Sequence, residues 1–168
     1  WAWLEYYPQR PGWTSVYNSI LGTTVKKTEQ ISVSVAQHAT TKVGKSYHGG
    51  KQPAYDKYGL CEETPYGLYF QEQWNHAIDV HPPIVMVTQF NEWIAQRFVI
   101  HNQGEYGNIR PGATAKIGET YFVDVYNAEF SRDLEPGTHP LIRDNYYLQL
   151  VSNTRKYRGV NKIPVPTV

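Results

Sequence analysis

The pattern of apolar and polar positions marks four stretches of the chain as strands. Residues 1–6 form the first, closed by Pro8. Residues 31–38 form the second, where Ile31, Val33 and Val35 alternate with Ser32, Ser34 and Ala36. Pro83 introduces the third, 84–90, apolar on both faces, and residues 121–126 form the fourth. Strands apolar on both faces suit a parallel sheet covered by helices. Two further stretches carry the helical period. One starts at Thr64 as N-cap with Pro65 at the first helical position. Its Phe70, Trp74, Ala77 and Ile78 share a face, and His81-Pro82-Pro83 stops it. The other starts at Asp144 or Asn145 and puts Tyr147, Leu150, Val151 and Thr154 on one face. There Arg155, Lys156 and Arg158 complement the C-terminal dipole and Gly159 ends the helix. Residues 160–168 read as an extended tail.

Strands and helices in this order imply right-handed crossovers and a parallel sheet. The expected fold class is α/β, with residues 1–168 forming one segment: the C-terminal part of a (β/α)8 barrel, about four parallel strands with their helices. The connection 11–30 shows no clear helix, and Gly22-Thr23-Thr24 argues against a long one. Each expected strand ends in polar residues: Glu5; Gln37 and His38; Gln89, Asn91 and Glu92; Asp124 with Asn127 and Glu129. In barrels and doubly wound sheets, functional groups gather at the carboxyl ends of parallel strands.

Composition narrows the classes. The 168 residues are 40% hydrophobic and 18% charged, a globular balance. A net charge of +1 with scattered basic residues gives no electrostatic case for nucleic acid or an anionic membrane. No apolar run approaches the roughly 18 residues of a membrane span. The opening Trp1-Ala2-Trp3-Leu4 has no basic region of a signal peptide and reads as mid-strand. Cys61 is the single cysteine, so an internal disulfide and a multi-cysteine metal site are excluded. The six histidines show no zinc spacing, no phosphate loop has its strand–turn–helix context, and no serine elbow is present. No cofactor is expected. The outlying number is aromatic: 14 Tyr, 5 Trp and 5 Phe. Sugar rings stack on such faces, and Tyr and Trp polar tips reach sugar oxygens; a large aromatic core also takes a share.

Three stretches carry candidate chemistry. In Gln89-Phe90-Asn91-Glu92-Trp93, a buried strand delivers a carboxylate, an amide and a ring to its exit. In a sugar hydrolase Glu92 serves as nucleophile or acid/base, Gln89 and Asn91 hold sugar hydroxyls, and Trp93 forms a stacking wall. The competing reading pairs Glu92 with Arg97 or has it cap the following turn. The stretch 124–136 holds Asp124, Glu129, Asp133 and Glu135 with Arg132. It reads as a substrate loop through Glu129 and Asp133, as a Ca²⁺ loop of non-EF-hand spacing, or as a loop tied by Arg132. Asp124, in mid-strand, needs buried partners and suits orienting a catalytic group. Near the start, Trp1, Trp3 and Glu5 share a face, and Glu5 is the candidate partner carboxylate of Glu92 or a salt-bridge member. His38 has the parity of the barrel interior, facing substrate or a carboxylate, or sitting as a satisfied core residue.

The segments Trp3-Leu4-Glu5-Tyr6-Tyr7-Pro8-Gln9, Ile31-Ser32-Val33-Ser34-Val35-Ala36-Gln37-His38, Gln89-Phe90-Asn91-Glu92-Trp93 and Glu129-Phe130-Ser131-Arg132-Asp133-Leu134-Glu135-Pro136 together resemble the C-terminal halves of (β/α)8 glycoside hydrolases, family 99-like and family 71-like, which share an Asn-Glu-Trp at a late strand. The resemblance implies a secreted or periplasmic polysaccharide hydrolase with Glu92 at its centre, and Trp3 and Tyr6 among its substrate contacts. It also implies a partner, the N-terminal half of the barrel, since this chain supplies only the last four strands. The competing function is a non-catalytic carbohydrate-binding module built on Trp and Tyr platforms.

Overall fold

The computed structural model of the chain describes residues 5, 7–36, 47–51, 53–54, 63–91, 94, 97–99, 117–122, 132–137, 140 and 142–160. Two strands, β1 (Gly12–Asn18) and β2 (Thr23–Val33), form an antiparallel hairpin. Asn18 closes its turn: the side-chain Oδ1 accepts from the Ile20 N–H at 3.0 Å and the Leu21 N–H at 3.1 Å. Gly22 follows in the left-handed region at φ 63°, where a Cβ is disfavoured. Gly12 pairs with Gln30 and Trp13 with Thr28, so Glu29 forms a bulge. The connection 11–30 is therefore a hairpin, where the sequence showed only the lack of a helix. Its distal half is wet on both faces, so no apolar alternation betrays it.

The second half of β2 is buried and pairs in parallel with β3 (Ile84–Val87), Gln30 opposite Ile84 and Val33 opposite Val87. A parallel ladder needs a long crossover. It is supplied by α1 (Leu68–Val80), entered through a 3₁₀ turn at Thr64–Tyr66. The parallel arrangement of the second and third expected strands stands, with β2 ending at Val33 and β3 at Val87. Sheet order is β1-β2-β3, a mixed sheet. Residues β4 (Arg97–Val99) and β5 (Thr120–Phe122) form a separate two-stranded antiparallel ribbon. The start of the fourth expected strand thus pairs antiparallel with β4, and 123–126 lie outside the described residues. Of the first expected strand only Glu5 is described, and it belongs to no strand.

Gly67, at φ 59°, ends the 3₁₀ turn and caps α1, so Thr64 and Pro65 belong to the turn and not to the helix start. The helix closes at His81, whose N–H donates to Ala77 O at 3.0 Å, ahead of Pro82-Pro83. The other helix, α2 (Asn145–Tyr157), begins and ends as its sequence indicates, with Asp144 as N-cap and Gly159 at φ 73° just beyond. Its buried face differs in part: Leu150 packs against the core as expected. Tyr146 and Asn153 face inward, while Tyr147 and Val151 are exposed. Polar anchoring sets this rotation. Tyr146 OH donates to Thr64 O, Gln149 Nε2 donates to Tyr66 O at 2.9 Å, and Asn153 exchanges amide hydrogen bonds with Gln71, both 3.1 Å.

One core joins these parts. Ile31, Val33 and Val35 pack against Phe70, Trp74 and Ala77, with Leu134, Ile142 and Tyr146 completing it and Val85 and Val87 at its margin. Both helices therefore cover the Ile31/Val85 face of the sheet. The opposite face carries Gln30, Ser32, Ile84 and Met86. Among the described residues no helix is long and apolar enough to cross a membrane.

Candidate functional site

The ends of β2 and β3 lie side by side at one end of the sheet. Past the ladder, the Thr88 N–H still donates to Val33 O at 2.9 Å. Then Gln89 turns into the left-handed region at φ 64°, unusual for a residue with a side chain. Its Oε1 accepts from the Ala36 N–H at 2.9 Å, so the side chain continues a pairing that the backbone has left. The 132–135 segment docks on this exit. Leu134 N–H donates to Gln89 O at 3.2 Å and Glu135 N–H to Phe90 O at 2.9 Å, while the Leu134 side chain enters the core. Asn91 Nδ2 donates to Glu135 Oε2 at 3.1 Å. A carboxylate from the distant acidic stretch thus orients the amide that precedes Glu92. In sequence, Glu135 stood as one of four carboxylates of the 124–136 stretch and as a possible partner of Arg132, not as a partner of Asn91.

Glu5 is tied to the same end. Its carbonyl accepts from Gln73 Nε2 at 2.6 Å and from Tyr69 OH at 3.3 Å, and its carboxylate pairs with Arg10 at 2.9 Å. Gln73 is the hub of this network. Its Oε1 accepts from the Ser34 N–H at 2.5 Å and the Ser34 hydroxyl at 3.1 Å. Gln9 Nε2 bridges Ser32 O and Gln73 O, both at 2.9 Å. Burial pushes the Tyr69 phenol well above its ordinary range, against the hydrogen bonds that favour ionisation. The network locks α1 to the end of β2 with neutral groups.

Beside it lies a cleft lined by His48, Glu63, Tyr69 and the buried Arg132. His48 Nε2 lies 3.1 Å from Glu63 Oε2, and the Gly49 N–H donates to Glu72 Oε1 at 2.8 Å. The cleft is about 10 Å³, one water in size, so it positions side chains and does not admit a sugar ring. The sequence reading did not join His48 to Glu63; the signal available was that Glu63 precedes the crossover helix, on the functional side of a parallel unit.

Of the sequence-derived site residues, Glu5, Gln89, Asn91 and Asp133 are described. Gln89 and Asn91 come together on the β3 exit with Glu135, and Asp133 sits half-buried in the docked segment. Glu92, Asp124, Trp3, Tyr6, His38, Trp93 and Glu129 lie outside the described residues. Among the described residues no group of three His, Cys, Asp or Glu could hold a metal ion. Neither a protein-family model, nor a curated protein, nor a solved structure matches the chain.

Proposed function

We propose that this chain is the C-terminal part of a (β/α)8-barrel glycoside hydrolase that works at the carboxyl ends of β2 and β3, with Glu92 as its principal carboxylate. The observation that carries the reading is the β3 exit. A parallel strand ends in Gln89 and Asn91, both oriented by bonds from other segments, immediately before Glu92. Fixing the groups around a reacting carboxylate is how a site stabilises charge that develops in the transition state. Asn91 gives its N–H to Glu135 and keeps an amide oxygen that can accept from a sugar hydroxyl. Glu5 is the candidate second carboxylate, with Asp124 as an orienting group.

The test is release of reducing ends from a panel of soluble polysaccharides and oligosaccharides by the native chain joined to the N-terminal half of its barrel, and by the same protein carrying Glu92→Gln. Turnover by the joined protein that Glu92→Gln abolishes supports the proposal. Retained turnover in the variant, or none by the joined protein on any glycan, overturns it.

A further inference from the structure

The hairpin carries a feature that the strand-exit chemistry does not use. Paired positions of an antiparallel ribbon lie on the same face, and alternate residues of each strand share it. Trp13 pairs with Thr28, Ser15 with Lys26 and Tyr17 with Thr24. Those six residues therefore form one face. Trp13 is 56% exposed and Tyr17 66% exposed. Four residues of strand separate the two rings by about 13 Å. That is longer than one sugar ring, so the two aromatics meet different rings of one chain. Between them stands the ammonium of Lys26, opposite Ser15, with the Thr24 and Thr28 hydroxyls flanking. The face bears no carboxylate; Glu29 falls in the bulge.

We propose that this hairpin face is an accessory binding platform for an extended anionic polysaccharide, one whose sugar units bear carboxylates. Trp13 and Tyr17 stack on two rings of the chain, and Lys26 pairs with a carboxylate carried between them. Apolar sugar faces explain the rings, hydroxyls the threonines, and charge complementarity selects an acidic polymer over a neutral one. The choice of a sugar as occupant rests on the reading of the chain as carbohydrate-acting, but the platform is separate from the β3 exit.

The experiment is affinity electrophoresis of the full chain in native gels containing polygalacturonate or, in parallel, neutral hydroxyethyl cellulose. Native protein is retarded more strongly by polygalacturonate than by the cellulose. Trp13→Ala and Tyr17→Ala each weaken retardation about tenfold, as loss of a stacking ring predicts. Lys26→Gln weakens it too, and added salt does the same to native protein. All three side chains are exposed, and circular dichroism confirms that the variants fold. Unchanged retardation in Trp13→Ala/Tyr17→Ala overturns the platform, and equal retardation by both polymers overturns its charge selection. Concentration-dependent dimerisation abolished by the same double substitution also overturns it, because the face then holds a second copy. Cleavage of short oligosaccharides is measured alongside with the chain joined to the N-terminal half of its barrel: its absence with retardation intact refutes the hydrolase and leaves the platform standing, and the converse refutes only the platform.

Discussion

Replacing Gly67 by alanine probes the joint on which the crossover helix turns. Gly67 sits at φ 59° between the 3₁₀ turn and α1, so alanine there meets left-handed strain of about 1–2 kcal/mol. Space is the second cost. A Cβ at Gly67 would lie 2.6 Å from Gln149 Nε2 and 3.0 Å from Tyr146 Cε1. The Gln149 amide can swing away, but that breaks its bond to Tyr66 O, worth about 1 kcal/mol. Tyr146 has less room, since its hydroxyl is bonded to Thr64 O and its ring is buried. The sum is about 2–3 kcal/mol, or roughly 5–10 °C in melting temperature for a chain of this size. Gly22→Ala is the control. It has nearly the same φ, 63°, and nothing within 4 Å of the added carbon. The entropy that alanine removes from the unfolded chain is common to both variants and cancels in the comparison. Urea unfolding of the native chain and the two variants gives the difference directly. If Gly67→Ala costs no more than Gly22→Ala, the packing of α2 against the 3₁₀ turn is not what requires glycine.

Two further outcomes follow from the polar contacts. Tyr69 holds its proton more tightly folded than unfolded, so its contribution to stability is complete below the unfolded phenol range near 10 and is lost as pH rises from there towards the folded value. Stability measured by urea unfolding between pH 9 and 11 should fall more steeply in the native chain than in Tyr69→Phe, by up to about 1.4 kcal/mol per pH unit; equal slopes would remove Tyr69 from the account. Asn153→Leu breaks the reciprocal amide pair and leaves Gln71 Oε1 without its donor, while Gln71 Nε2 keeps Asn75 Oδ1 at 2.9 Å; the cost is about 1 kcal/mol, and adding Gln71→Leu should recover part of it, a coupling that a double-mutant cycle reads as non-additive unfolding energies.

What the sequence displayed and what it hid follow one rule. Elements that bury an apolar stripe were visible: α1 through Phe70, Trp74 and Ala77, and the parallel pair through Ile31, Val33, Val85 and Val87. The β1–β2 hairpin was not, because Thr14, Ser15, Lys26 and Lys27 sit in water on both faces and backbone pairing alone holds them. The inward side of α2 was set correctly at Leu150 and mis-set beside it for a related reason. Hydrophobicity chose Tyr147 and Val151, while the hydrogen bonds of Tyr146, Gln149 and Asn153 to partners some eighty residues earlier chose the orientation. At the strand exit, Gln89 and Asn91 were legible as polar residues after a buried run. That Glu135 would orient Asn91 depends on a loop docking across the chain, which no local pattern encodes.

Strand β2 belongs to two partners that arrive at different times. Its pairing with β1 closes across a short turn and forms in about 1–10 μs. Its pairing with β3 must wait until the whole 34–83 stretch has found its course, a slow, non-local closure. During that wait Ile31 and Val33 present a bare, ready-made template at one margin of a finished ribbon, while the lysines at 26 and 27 discourage mispairing only further along it. A nascent chain is most vulnerable to joining its neighbours in that interval, so holding back misassembly depends on how quickly α1 delivers β3.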